Sequence, residues 1–271
     1  MKTRHTRRKF MHEKIMRKMS ALAFILFIYL FVFTSKSIAH YPWIQMDSFH
    51  TESGEMLELA IGFGHHFPAL SSFLEHERVK EINIYNHKKQ KSSIHSPSKF
   101  IYESQEELKK GSYIVASFAP NFFTKTINGY KQQSKKGLNN VIECEQNNWC
   151  MKSIVNVGNS HEDVDIKVGH PIEIIPLKNP STLDQGDSLP IQAVLKGEPQ
   201  QKIKIQATYM GFTSDKQEFA QTVQTDENGL AEIELTHRGI WLVKAYSKAA
   251  YPNPDICDIK EYIASLTFRL E

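Results

Sequence analysis

The chain has 271 residues, with 33 Lys and Arg against 30 Asp and Glu, and three cysteines. Nine of the basic residues and one of the acidic residues lie before His40, so the remainder holds 24 basic and 29 acidic side chains and a formal charge of −5. The positive excess belongs to the first 39 residues, which removes the electrostatic case for nucleic-acid binding by the rest.

The amino-terminal segment carries Lys2, Arg4, Arg7, Arg8, Lys9, Lys14, Arg17 and Lys18, then the apolar run Ala21 to Phe33, then Thr34-Ser35-Lys36-Ser37-Ile38-Ala39. Basic, apolar and small-residue stretches in that order form a secretory signal. The apolar run of thirteen residues is short of the roughly 20 that a membrane-spanning helix needs. Ser37-Ile38-Ala39 offers the small-x-small pattern that a signal peptidase reads. The expectation is a signal peptide over 1–39, cleaved to leave His40 first, and a periplasmic or extracellular protein of 232 residues. An uncleaved anchor with the same globular part outside is the alternative.

From His40 onward, short runs rich in β-branched and aromatic residues recur between Gly, Pro, Asn and Asp, without sustained helical periodicity. Strands are expected at Met56 to Phe63, Glu81 to Tyr85, Lys99 to Tyr102, Ser112 to Phe118 and Ser153 to Val157. Ala69 to Val79 reads as a short helix or a loop, and Tyr130 to Glu145 leaves a helix among its readings. Lys88-Lys89-Gln90-Lys91 reads as a solvated loop face. After Gly169-His170-Pro171, seven strands are expected in about 100 residues: Ile172 to Pro176, Ser188 to Leu195, Ile203 to Tyr209, Ala220 to Gln224, Ala231 to Leu235, Ile240 to Ala245 and Ile263 to Leu270. Asp226-Glu227-Asn228-Gly229 supplies hairpin-turn chemistry, and Trp241, in an alternating strand, is expected in the core. The fold class is mainly β, with two β-sandwich domains. A β-rich domain over 40–165 and an immunoglobulin-like sandwich over 166–271 meet in the Gly, Asn, Ser and acid-rich stretch from Gly158 to Lys167.

An oxidising compartment permits disulfides. Cys144 and Cys150 are close enough in sequence to clip a loop and form the preferred pair, leaving Cys257 as the odd thiol. Their spacing matches no zinc motif.

Ten of the twelve histidines follow Ala39. Neutral imidazole is a ligand for Ni, Co, Cu and Zn, so this density outside the cytoplasm points to metal. His40 as a first residue would offer its α-amine and its ring Nδ1 as a ready chelate. His65 and His66, in Gly62-Phe63-Gly64-His65-His66-Phe67-Pro68, follow an expected strand. Extended backbone sends their side chains to opposite faces, so one of the two is expected to join His40 in a histidine brace. His170 is expected to start the second domain as a packing residue, while His50, His76, His87 and His95 read as surface. No nucleophile elbow, phosphate-binding loop, HExxH helix or Rossmann fingerprint is present, so no enzyme is expected.

Several motifs assemble along the chain: Ala39-His40-Tyr41-Pro42-Trp43, Gly64-His65-His66-Phe67-Pro68, Ser134-Lys135-Lys136-Gly137-Leu138 and Val168-Gly169-His170-Pro171-Ile172-Glu173-Ile174-Ile175-Pro176. Gly186-Asp187-Ser188-Leu189-Pro190, Thr225-Asp226-Glu227-Asn228-Gly229, Gly239-Ile240-Trp241-Leu242 and Tyr262-Ile263-Ala264-Ser265-Leu266-Thr267-Phe268 follow. In this order they resemble a bacterial family of exported, uncharacterised proteins, a domain of unknown function, described as the periplasmic component of cobalt or nickel uptake and formerly as a nickel-uptake substrate-specific family. The resemblance implies a periplasmic protein associated with transition-metal uptake, and the leading reading is a carrier that binds a divalent transition metal (Ni, Co or Cu) and hands it to a membrane metal transporter. His40 and the Gly64-His65-His66 segment carry over as metal contacts. A copper-dependent oxidase built on the same brace, and a structural or adhesive envelope module without metal, are the competing readings.

Overall fold

The computed structural model describes residues 40–212 and 219–271. The leader expected over 1–39 lies outside them. The described part is built of strands, with no α-helix among them and two short 3-10 turns at His76–Arg78 and Pro180–Thr182.

In chain order the strands are β1 (Tyr41–Met46), β2 (His50–Thr51), β3 (Glu58–Gly64), β4 (Ser72–Phe73), β5 (Glu81–Asn86), β6 (Lys91–His95), β7 (Ile101–Ser104), β8 (Gly111–Thr126) and β9 (Gly129–Lys131). They continue with β10 (Val141–Val157), β11 (Ile172–Pro176), β12 (Ser188–Leu195), β13 (Glu198–Pro199), β14 (Lys204–Tyr209), β15 (Gln221–Gln224), β16 (Leu230–Glu234), β17 (Gly239–Ala250) and β18 (Ile259–Leu270). The larger sheet runs β1-β3-β7-β6-β5-β8-β10-β18-β17-β14-β15, and the smaller joins β11, β12, β13 and β16.

Alternation along the long strands explains the packing. On β10, Trp149, Met151, Val155 and Val157 face one core, which also holds Tyr41, Trp43, Ile44, Leu59 and Ile61 from β1 and β3. Cys150 and Ile154 face the opposite core, with Ile174, Ile191 and Ile233 from the smaller sheet. The segment β8-β10-β18-β17 is therefore a central sheet covered on both faces, a β-sandwich on each side. Burial on both sides also explains why these strands lack the clean alternation of a half-solvated sheet.

The line expected between 165 and 166 runs through both cores. β10 pairs in parallel with β18 from Glu145↔Ile259 to Ser153↔Thr267. Ile114 and Ile154 pack with Trp241 and Phe268, while Leu242 and Ile263 pack with the β1 and β3 residues. His40 to Glu271 accordingly forms a single compact unit. Trp241 is fully buried, as its strand position required.

Ala69 to Val79 contains β4 and the turn at His76–Arg78, and Tyr130 to Glu145 holds the end of β9, a loop and the start of β10. The first thus holds one short 3-10 helix within a looping segment, and the second is not a helix, because its ends pair with the edge of β8.

The cysteine pairing corrects the sequence expectation. Cys144 bonds Cys257, with Cα atoms 5.0 Å apart, and Cys150 is the buried free thiol. Cys144 and Cys150 both lie within β10, where six extended residues span roughly 20 Å, beyond the roughly 7 Å reach of a disulfide. Burial pushes the Cys150 thiol up to about 12. Asp258, beside the bridge, accepts from Cys144 N at 2.8 Å and pairs with Lys135.

The stretch from Gly158 to Pro171 is tied down at two places. Asn179 Nδ2 donates to Ser112 Oγ, Asn156 Oδ1 and Glu162 O at 2.9–3.0 Å. Deeper, Lys152 Nζ lies 2.6 Å from Glu173 Oε2, both side chains 2% exposed, and donates to Ile166 O at 2.8 Å. Glu173 also accepts from Val168 N and Gly169 N at 2.9 and 2.8 Å. Burial alone would raise the Glu173 carboxyl, but Lys152 and these N–H groups hold it below its ordinary value. Removing one partner of such a pair costs about 3–5 kcal/mol because the other charge is stranded.

His170 sits beside this pair, 6% exposed, its ring 5.9 Å from that of Phe118. Burial, aided by Lys152, pushes its imidazole from 6.5 down to about 4. The unfolded chain then binds more protons than the folded one between those values, so stability is lost as pH falls through that window. Chemical denaturation at stepped pH should show this loss from about pH 6.5 to 4, and H170Q should flatten it. Non-reducing peptide mapping should recover Cys144 linked to Cys257, and the C144S/C257S variant should lose about 2–5 kcal/mol in denaturant unfolding.

Candidate metal centre

β1 and β3 pair antiparallel with Tyr41 opposite Gly64, which places His40 across from His65 just beyond the paired ends. Their ring centroids lie 3.8 Å apart with a tilt of 38°. Cross-strand neighbours on one face meet in this way. Phe63, on the same face, packs edge-on against His40 at 5.8 Å and against Trp149 of β10 at 5.7 Å. The histidine pair thus stands at the rim of the core formed over Trp149.

The glycines of the motif have a steric reason. A Cβ on Gly64 would lie 2.5 Å from Ala69 O, and one on Gly62 would lie 2.1 Å from Leu70 Cδ2. The loop after β3 folds back over the strand, returning Ser71 N to Phe63 O at 2.9 Å. Phe67 N donates to Tyr41 Oη at 3.1 Å, and the Phe67–Pro68 peptide is cis. This fold-back holds His65 at the end of β3 and carries His66 away.

His65 is half-buried, and its Nδ1 is buried with no hydrogen-bond partner. His66 is exposed and makes a backbone bridge with Ala69. Burial first, then the neighbouring His65, lowers the His40 imidazole below its ordinary value. Neutral imidazole is the form that binds metal. A metal bonded at about 2.0–2.1 Å to each of two ring nitrogens needs those nitrogens within about 4 Å of each other; from their tilted stack, with centroids at 3.8 Å, both rings would have to turn edge-on toward a shared ion. Among the described residues no group of three or more His, Cys, Asp or Glu side chains converges on one point. His40 and His65 therefore come together as a pair of imidazoles without a third such side chain among the described residues.

The remaining histidines are elsewhere. His76 and His95 are exposed, and exposed His87 pairs with Glu162 at 2.7 Å. His170 packs inside, as described. His50 and His161 line a groove of about 630 Å³ beyond the other end of β1, with Asp47, Arg269 and Glu271. Arg269 Nε meets Glu271 Oε1 at 3.0 Å and His161 Nδ1 meets Ser181 Oγ at 2.9 Å, while His50 Nδ1 lies 2.9 Å from the same carboxylate oxygen without making a hydrogen bond to it. The juxtaposition of two imidazoles makes the histidine pair the stronger nitrogen-donor candidate, although this groove is roomier and its His50 Nδ1 is likewise buried without a hydrogen bond. Sequence reasoning did not find Phe63 and Trp149 as walls of the site; no local signal joins them, since they meet only across two strands.

A family model for a domain of unknown function, DUF4198, matches residues 37–249. The chain belongs to the DUF4198 family. The DUF4198 match takes in His40, His65 and the whole of the β1–β3 fold-back. No protein of curated function matches the sequence. Among solved structures, a DUF4785 family protein from Legionella pneumophila is 9% identical over 78% of this chain and 53% of its own, with a TM-score of 0.24. This chain therefore spans about half the length of that protein. The D0–D1 domain of intimin is 11% identical over 83% of this chain and 97% of its own, at a TM-score of 0.21, and mouse nectin-like molecule 4 is 11% identical over 82% and 62%, at 0.18. At scores this low none of them lends the DUF4198 chain a site or a task.

The lowered His40 imidazole should be visible by nuclear magnetic resonance. His40 should titrate below the ordinary histidine range, and H65A should move it back up; an unmoved His40 would show that the two rings do not interact in solution.

Proposed function

We propose that this DUF4198 protein is exported, begins at His40 after processing, and binds a divalent transition metal (Ni, Co or Cu) through His40 and His65 in the service of metal uptake. The observation that carries the reading is the cross-strand pair itself: two imidazoles 3.8 Å apart, one with a buried nitrogen that nothing else satisfies. Two imidazoles and a terminal amine form a nitrogen-only set, which suits Ni(II), Co(II) and Cu(II) and not hard cations such as calcium or magnesium. The metal is cargo in this reading, held at the rim of the core, where it is open to delivery. A membrane metal transporter is the partner that such a carrier would serve. The exposed His66 plays no part at the pair.

Calorimetric titration with Ni(II), Co(II) and Cu(II) tests this on protein starting at His40, on the same protein with one residue added before His40, and on H65A and H66A. Binding should be one-to-one in the first and about tenfold or more weaker in the second and third, a difference of about 1.4 kcal/mol or more. H66A should bind like the parent. Equal affinity in parent and H65A would overturn the assignment.

A further inference from the structure

The face of the central sheet that carries Trp149 continues past the histidine pair into a polar strip. On β10, Glu145, Asn147 and Trp149 alternate onto this face. Register sets Asn147 between Asn121 of β8 and Glu261 of β18, and puts Glu145 on the diagonal from Glu261. Lys248 and Tyr246 of β17 follow beyond Glu261.

This strip has more acceptors than donors. Asn147 is 8% exposed, and its Oδ1 is buried with no hydrogen-bond partner. Asn121 turns its Nδ2 to Ala119 O at 3.4 Å, and its buried Oδ1 is also without a partner. Glu261 is 6% exposed, and Tyr246 Oη donates to its Oε1 at 2.6 Å. Neither Glu145 nor Glu261 forms an ion pair among the described residues. Burial, then Glu261 and Glu143, pushes the Glu145 carboxyl up to about 7 against the opposing pull of Lys248. Two carboxylates and two unanswered amide oxygens on neighbouring strands are what a buried sheet face excludes unless something positive completes them.

We propose that Glu145, Glu261, Asn147 and Asn121 form a binding site for a hard divalent cation of the calcium class. All four offer oxygen, two of them as carboxylates, and calcium takes six to eight oxygen ligands with tolerant geometry, water filling the remainder. The lack of nitrogen or sulfur ligands separates this site from the histidine pair in both place and preference. Bound calcium would bridge β8, β10 and β18, stiffening the sheet beside the wall formed by Trp149.

The experiment is calorimetric titration of chelator-treated protein with calcium chloride, with terbium as a luminescent substitute excited through the tryptophan band, since Trp149 stands next to Asn147 on this face. One saturable calcium should bind and raise the melting temperature, and terbium emission should rise and be displaced by calcium. E145Q should weaken calcium at least about tenfold, a loss of about 1.4 kcal/mol, and melt without calcium no lower than the parent, because the substitution removes a repulsion. E261Q should abolish binding; if it fails to fold, E145Q still decides. H40A and H65A should leave calcium binding unchanged, which separates this site from the transition-metal reading. Absence of saturable calcium and terbium binding, intact binding in E145Q, or loss of binding in H65A would each defeat the proposal.

Discussion

The interaction on which the architecture turns is the buried pair between Lys152 and Glu173. Lys152 projects from the middle of β10 into the core under the smaller sheet, and Glu173 stands at the entry of β11. Between them the chain must leave one layer and start another, and it does so without a helix or a long strand to guide it. The ion pair, with the Ile166 carbonyl and the N–H groups of Val168 and Gly169, converts that passage into a fixed turn. An apolar pair could fill the same volume, but it would not specify where the backbone of 166–169 must lie.

With that turn fixed, the layering follows. The smaller sheet closes over one face of the central sheet, and β1 and β3 close over the other, so β8, β10, β17 and β18 are buried on both sides. Parallel pairing of β10 with β18 is the seam, locked at one end by the Cys144–Cys257 bridge and the Lys135–Asp258 pair. The histidine pair and the acidic strip share the face of this seam that looks toward β1 and β3. Their chemistry differs because their positions differ: the imidazoles sit at the rim on the covering layer, and the carboxylates sit on the sheet beneath.

How far the sequence foretold this depended on how local each signal was. β11 and β12 were read at their observed limits, since Ile172 to Pro176 and Ser188 to Leu195 are apolar runs bounded by turn residues. β8 and β10 were read at less than half their length, because Pro120, Asn121, Asn147 and Asn148 look like loop residues until both neighbours of a doubly covered sheet are known. β1 was passed over for the motif that opens it. His40 and His65 stood out in the sequence because of the motifs that carry them, but that His65 and not His66 lies across from His40 follows from the β1–β3 register and the fold-back after Gly64, which no local signal gives. The Cys257 partnership and the grouping of Glu145 with Glu261 were not legible, since both depend on the register of two strands more than 100 residues apart.

The placement of Cys150 has a consequence for how the protein is made. Chain entropy favours closing the shortest loop first, so an unfolded chain under oxidising conditions is biased toward joining Cys144 to Cys150. That product cannot lie flat as a strand, and it removes β10 from both sandwiches at once. From that product the Cys144–Cys257 bond is reached only by thiol–disulfide exchange while Cys150 is still accessible, and the finished core then shields the leftover thiol.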